Sequence, residues 1–275
     1  MEVYLVNFAT EEFYHSQRKL NASALKYGVD KTVSYRWSDI KKTGFYEHNK
    51  EILIQKRGAG YWLWKPYIIL DHLAKVNAGD IVIYADSGIE VIGNLQPLIE
   101  LCVNKKDVLI FHAGGEHLNS HYTKRDCFVM MNCDSQEYWS GMQCLASFHL
   151  YLKNETCRIF LQQWLDFCRN RNILTDIGNI CGKDNLDGFI EHRSDQSVLS
   201  LLAQREKKEV FRDPTQYGNH LKSYKYRYQG EYCIKPYTDA LSFPNSPYGT
   251  LLNHHREKRV LFIKHIKNRL LSYFH

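Results

Sequence analysis

The stretch Asp80-Ile-Val-Ile-Tyr-Ala-Asp-Ser-Gly88 decides the fold. Residues 81–85 form an unbroken apolar run, which suits a strand buried on both faces of a parallel sheet. Upstream, Tyr67–Val76 has apolar residues at 67, 68, 70, 73, 74 and 76, a helical spacing, with Pro66 at the first helical position. Asn77-Ala-Gly79 ends that helix. Downstream, Gly93-Asn94 opens a turn into a helix over Leu95–Val103, and Asp107–Phe111 and Cys127–Met131 read as further strands. At the N-terminus, Val3–Phe8 reads as a first buried strand, followed by a helix over Glu11–Tyr27. Further helices are expected over Tyr151–Asn170 and Asp195–Gln204. Alternating strands and helices predict an α/β fold: a Rossmann-type, mostly parallel sheet flanked by helices. Ligands meet such sheets at the carboxyl ends of the strands, so the polar residues after Ala85 and Phe111 are the ones placed to bind.

The 275 residues, 44% hydrophobic and 24% charged, exclude disordered, collagen-like and disulfide-knot classes and allow one large or two small domains. From Lys207 the chain turns polar and tyrosine-rich, with Pro214, Pro236, Pro244 and Pro247. Residues 1–205 are therefore expected to form the main body, and 206–275 a lid or ligand-binding segment packed on it. Arg259–Phe274 sets Phe262, Ile263, Ile266, Leu270 and Phe274 on one helical face among Arg259, Lys264, Lys267 and Arg269. Such a basic amphipathic helix lies on an anionic membrane or docks on its own domain. No apolar run reaches the roughly 18–20 residues of a membrane span, and the N-terminus has acids where a secretory signal has bases. The expectation is a cytoplasmic protein, with peripheral attachment to the inner membrane face through 259–274 left open. Eight cysteines without a C-x-x-C pair read as buried thiols. A net charge of +6 calls for an anionic partner, and 19 tyrosines exceed what a core needs, leaving rings to stack on sugars or bases.

Three segments carry the candidate chemistry. In Gly58-Ala-Gly-Tyr-Trp-Leu-Trp-Lys-Pro66 the glycines allow close backbone approach, Trp62 and Trp64 can wall a pocket, and Lys65 adds its charge to a helix start, favouring a phosphate. The plainer alternative is a junction whose rings belong to the core. In Tyr84-Ala-Asp-Ser-Gly88, Asp86 stands at a strand end, where a carboxylate can hold a divalent cation or cap the following turn. In Glu191-His-Arg-Ser-Asp-Gln-Ser197, Asp195 can act as a base toward a hydroxyl and Gln196 can bond sugar hydroxyls; the alternative is a solvated helix cap. His112, after Phe111, and Asn253-His-His-Arg256 are weaker candidates for metal or phosphate contacts.

Together the GYWLWKP helix start, the GDIVIYADSG strand end and the later HRSDQS motif resemble GT-A-fold glycosyltransferases over residues 1–205. The resemblance is to small bacterial and viral enzymes of surface-polysaccharide assembly, capsule and lipopolysaccharide, with related patterns in glycogenin-like and lipooligosaccharide galactosyltransferase groups. It implies a catalytic domain that moves a hexose from a nucleotide-diphosphate sugar, a UDP-sugar, to a saccharide or lipid-linked saccharide. It implies a manganese or magnesium ion as well. Asp86 matches the first aspartate of D-x-D, with Ser87 and Gly88 beside it, and Asp195-Gln196 match the later D-Q near the reaction centre. Asn7 falls where the nucleotide pocket begins, and Trp62, Trp64, Lys65, His112 and Arg256 fall around the donor. Gly88 departs from the pattern, because the second carboxylate is missing. His254 or His255 then completes the ion's ligands, or the ion is weakly held, or Lys65 and Arg256 neutralise the diphosphate instead. Asp86 and Asp195 are expected to converge across a crevice. Competing classes are a glycoside hydrolase, which also uses paired carboxylates, a non-catalytic sugar-binding protein and a nucleic-acid-binding module. Nucleic acid is disfavoured because the bases form no stripe outside the terminal helix.

Overall fold

Apolar side chains alternate along the central strands, and that alternation builds two cores. The structure is a computed structural model that describes residues 1–113, 117–219, 223–228, 231–236 and 243–254. Its main elements are β1 (Val3–Phe8), α1 (Tyr14–Lys26), β2 (Lys31–Tyr35), α2 (Trp64–Lys75), β3 (Ile81–Ala85), β4 (Ile89–Val91), α3 (Gln96–Lys105), β5 (Ile110–Phe111), β6 (Phe148–Leu152), α4 (Glu155–Cys168) and α5 (Asp195–Arg205). In β1 and β3, Val3, Leu5, Ile81, Ile83 and Ala85 join one core, while Val6, Phe8, Val82 and Tyr84 join the other. A sheet apolar on both faces must be covered on both. Leu20 and Ala24 of α1 and Leu98, Ile99 and Cys102 of α3 cover the first face. Ile68, Ile69 and Leu73 of α2, Trp164 of α4 and Leu199 of α5 cover the second.

The sheet order is β2-β1-β3-β6. β1 runs parallel to β2 and β3, with Phe8 opposite Tyr35 and Val6 opposite Tyr84. β6 runs antiparallel to β3, with Ala85 opposite Phe148. The three parallel strands therefore end at one edge, and the segment entering β6 arrives there from the opposite direction. The Asp86 amide donates to the Ser147 carbonyl at 2.8 Å, joining the two. Described parts of 206–275 add to this body: Val210–Phe211 pairs parallel with β5, Leu252–His254 pairs antiparallel with β4, and Phe211, Tyr248 and Leu252 enter the α1 and α3 core.

Some elements differ from expectation. Cys127–Met131 belongs to a short helix, Arg125–Met130, whose Cys127 and Phe128 are buried with Met131 one turn on; a short apolar run fits either period. Tyr151 and Leu152 finish β6, and the helix begins only at Glu155, where the Asn154 side chain caps the Cys157 amide at 2.8 Å. Only Ile110–Phe111 of the 107–111 run is strand. β2 carried no apolar signal because it is an edge strand whose Lys31, Thr32 and Ser34 reach solvent to varying degrees. Among the described residues no helix is long and apolar enough to cross a membrane. The helix expected over 259–274 lies outside the described residues, as do His255 and Arg256. Cys102, Cys127, Cys133, Cys144, Cys157, Cys168 and Cys181 are free thiols, and all but Cys181 are buried.

Candidate active site

At the shared strand edge opens a cleft of about 1090 Å³. Its walls come from Phe8–Tyr14 after β1, Trp37 after β2, Asp86–Gly88 after β3, Leu145–Ser147 before β6, the segment ahead of α2 and the first turn of α5.

Lys65 lies at the base of this cleft with its side chain 3% exposed. Its Nζ stands 2.6 Å from Asp195 Oδ2 and 3.6 Å from Asp86 Oδ1, and donates to the Ala146 carbonyl at 3.0 Å. One ammonium thus bridges the two carboxylates singled out from the sequence. Asp86 also accepts from the Tyr84 hydroxyl at 2.5 Å and is one-third exposed, whereas the Asp195 side chain is 5% exposed. Burial pushes the Asp195 carboxyl up to about 6; Asp86 adds to the rise and Lys65 opposes it. Burial pulls Lys65 down, but Asp195 and then Asp86 outweigh it and hold the ammonium above its ordinary value. Beneath them His149 stacks on Tyr84 with ring centres 5.3 Å apart. Burial, helped by the Lys65 charge, holds His149 well below its usual range, so the ring is neutral. Its Nε2 donates to Ala146 O at 3.1 Å, leaving Nδ1 to accept from Tyr151 Oη at 3.2 Å.

Strained backbone leads into both charged residues. Five consecutive residues have positive φ: Gly58 (54°), Ala59 (50°), Gly60 (90°), Tyr61 (53°) and Trp62 (58°). They form a left-handed helical turn, closed by Tyr61 N to Arg57 O at 2.7 Å and Trp62 N to Gly58 O at 3.2 Å. For L-residues this hand costs about 1–2 kcal/mol each, so surrounding contacts must hold it. A Cβ on Gly58 would lie 2.3 Å from the Trp62 indole, and one on Gly60 would lie 2.7 Å from Leu53 Cα. Both glycines are therefore required by space as well as by φ. Tyr61 Oη and Arg57 both bond Asp176 at 2.5 Å, Arg57 also bonds His192 O at 3.0 Å, and Trp64 Nε1 bonds Gly58 O at 3.2 Å. On the far side, Ser194 (φ 49°, ψ −118°) immediately precedes Asp195.

The other expected site residues divide. Trp62, Trp64, Ser87, Gly88, Gln196 and His254 line the cleft, with the Trp64 ring 4.1 Å from that of Phe8. Lys65 lines it too, but it is committed to carboxylates and is not an open phosphate contact. It is the second residue of α2, and Pro66, expected first, is the third. Asn7 does not reach the cleft, because strand parity turns it toward α1, where it bonds Gln17 and Asn21 at 2.7 Å each. His112 does not line it either; its amide bonds Phe211 O, its ring packs 5.6 Å from Phe243, and burial lowers it to about 4. Sequence reasoning missed Lys41, Lys56, Arg57 and Arg193, cations scattered through the chain that line the cleft. It also missed Ser147, a cleft residue whose buried Oγ has no partner among the described residues. Arg193 sits within the Glu191–Ser197 segment, and Lys56 and Arg57 directly precede Gly58, whereas Lys41 and Ser147 adjoin none of the three segments.

Among the described residues, no protein-built cage stands ready for the implied manganese or magnesium ion. Gly88 has no side-chain ligand to give, and among the described residues no three His, Cys, Asp or Glu side chains gather to hold an ion. Of the ligands the resemblance implies, Asp86 and His254 line the cleft, fewer than a closed protein site uses; Glu11, Glu12 and Glu191 line it too but join no such cluster.

No family model and no curated protein sequence matches this chain. Among solved structures, the apo form of mouse xyloside xylosyltransferase 1 is similar at 9% identity and TM-score 0.48, covering 94% of this chain and 99% of that one. The apo WbbM bifunctional glycosyltransferase is similar at 10% identity and TM-score 0.43, covering 73% of this chain and 37% of that one. Similarity of this degree concerns the course of the backbone alone.

Proposed function

We propose that this chain is a GT-A-type glycosyltransferase that moves a hexose from a UDP-sugar to a saccharide acceptor. The observation that carries this reading is the buried Asp86–Lys65–Asp195 bridge at the base of a cleft at the carboxyl ends of parallel strands. Transfer breaks the bond from the anomeric carbon to the diphosphate oxygen and forms one to an acceptor hydroxyl oxygen. The nucleoside diphosphate keeps the bonding pair, and the acceptor gives up its proton. Positive charge grows on the sugar and negative charge on the leaving phosphate.

Asp195, with its carboxyl near 6, is ionised at neutral pH and faces the growing positive charge, while Lys65 fixes its position. A carboxyl tuned toward neutrality is also suited to take a proton. Lys41 and Lys56 offer the diphosphate its countercharge, and Phe8, Tyr14, Trp37 and Trp62 offer ring faces. The lipid-linked form of the acceptor, and attachment to a membrane through 259–274, extend the same proposal to residues not described here.

A thermal-shift screen of UDP-, GDP- and TDP-sugars, each with and without manganese, tests the reading. At a hundredfold excess over its Kd, a bound donor stabilises by about 2.7 kcal/mol, a rise of roughly 5–11 °C for a chain of this size. The reading fails if no nucleotide sugar raises the melting temperature while an oligosaccharide alone does and is cleaved to free sugar.

A further inference from the structure

Gln196 lines the cleft one residue beyond Asp195, and its side-chain amide ends a chain of amides that begins at two main-chain carbonyls. Gln204 Nε2 donates to Glu137 O at 2.8 Å. Asn119 Nδ2 donates to Tyr138 O at 3.0 Å and to Gln204 Oε1 at 3.2 Å. A carbonyl only accepts, so these bonds fix which end of each amide faces it. The Asn119 oxygen is thereby turned toward Gln143, whose Nε2 donates to Asn119 Oδ1 at 2.8 Å and to Thr123 Oγ1 at 3.2 Å. That leaves the Gln143 oxygen for Gln196, whose Nε2 donates to it at 3.3 Å. Gln196 Oε1 then accepts from no described residue.

Asn119 and Gln143 are fully buried. Turning either one around sets oxygen against oxygen, and a buried mismatch of that kind is costly. Reversing the last amide would mean reversing every amide before it, back to carbonyls that have no proton to give.

We propose that Gln143 is a positioning residue that makes Gln196 present a hydrogen-bond acceptor to the cleft beside Asp195. The ligand group opposite is then a donor, a neutral hydroxyl of the transferred sugar, and not a phosphate oxygen, which an amide oxygen repels. On the glycosyl-transfer reading the position next to Asp195 takes the sugar end of the donor, and the diphosphate lies toward Lys41 and Lys56, which also line the cleft. The identity of the hydroxyl rests on the glycosyl-transfer reading; the direction of the amides does not.

Two measurements decide this. In the nitrogen-15-labelled full chain, one of the two Gln196 side-chain amide protons exchanges more slowly than the other, and Gln143→Met, which keeps the bulk but removes both polar ends, abolishes the difference. In titrations, Gln143→Met weakens UDP-glucose roughly three- to tenfold, the worth of one neutral hydrogen bond, and leaves UDP within twofold. Equal, unprotected Gln196 amide protons in the wild-type chain overturn the proposal, even if the variant does not fold. Equal losses for UDP and UDP-glucose overturn it too, because they mark a general structural defect. If the wild-type chain binds neither UDP-glucose nor UDP, the UDP-sugar reading falls, and the exchange measurement still decides the orientation.

Discussion

Replacing Lys65 with methionine removes the one charge that Asp86 and Asp195 share while roughly keeping the volume. Lys65 and Asp195 are both buried and 2.6 Å apart, so the variant leaves the buried Asp195 carboxylate without its partner. Breaking a buried pair in this way costs about 3–5 kcal/mol. At roughly 2–4 °C per kcal/mol for a chain of this size, the melting temperature falls by roughly 6–20 °C near pH 8. The loss depends on pH in a definite sense. The Asp195 carboxyl stands near 6 in the fold against an ordinary 3.8, so its contribution to stability is fullest below 3.8 and is lost as pH rises through 6. Without Lys65 the remaining influences, burial and Asp86, both raise it, and the window of loss extends above 6. At pH 5 both proteins hold Asp195 largely protonated and differ little; at pH 8 only the wild type has a cation to meet the charge. Differential scanning calorimetry of the two proteins at pH 5, 6, 7 and 8 reads this directly. A deficit of the same size at all four values would refute the assignment of the pair.

Asp195→Asn is expected to lower sugar transfer roughly 10²–10³-fold while leaving nucleotide-sugar affinity within threefold, read by initial rates and calorimetric titration. In the wild-type chain, kcat should rise with pH along a limb centred near 6, the Asp195 ionisation, and the asparagine variant should lose that limb. Ala59→Gly relieves about 1–2 kcal/mol of left-handed strain against roughly 0.5–1 kcal/mol of added chain freedom, so chemical denaturation should show a net gain of up to about 1.5 kcal/mol. The Asp126 carboxylate accepts from the Ile180 and Cys181 amides at about 3.0 and 2.9 Å. Asp126→Ala should therefore loosen the 176–190 segment, seen as new tryptic cleavage at Lys183 with the body of the chain intact.

The α/β plan was legible because β1 and β3 are apolar on both faces, and only an internal strand of a covered sheet needs that. β6 was hidden because its apolar run continues almost directly into α4, and β2 because an edge strand exposes one margin to water. Asp86 and Asp195 were legible for a positional reason: each directly follows, or begins, an element aimed at the strand edge. Asn7 failed on parity, since its neighbours Val6 and Phe8 face the side of the sheet that carries Lys65 and Asn7 faces α1. Lys65 was correctly placed at a helix start but given the wrong partner. An exposed lysine there would face solvent and phosphate, whereas Lys65 is buried and meets Asp195 and Asp86. The amide chain behind Gln196 joins residues 119, 143, 196 and 204, a closeness that only the folded chain creates.

The turn at 58–62 has a stereochemical corollary. At position 59 the backbone sits at φ 50°, ψ 56°, the region a mirror-image amino acid occupies in its own ordinary helix. A chain assembled by chemical ligation with D-alanine at 59 would therefore be relaxed where the ribosomal product is strained. It should melt higher than the natural chain, a reversal of the penalty that D-residues impose within a right-handed helix.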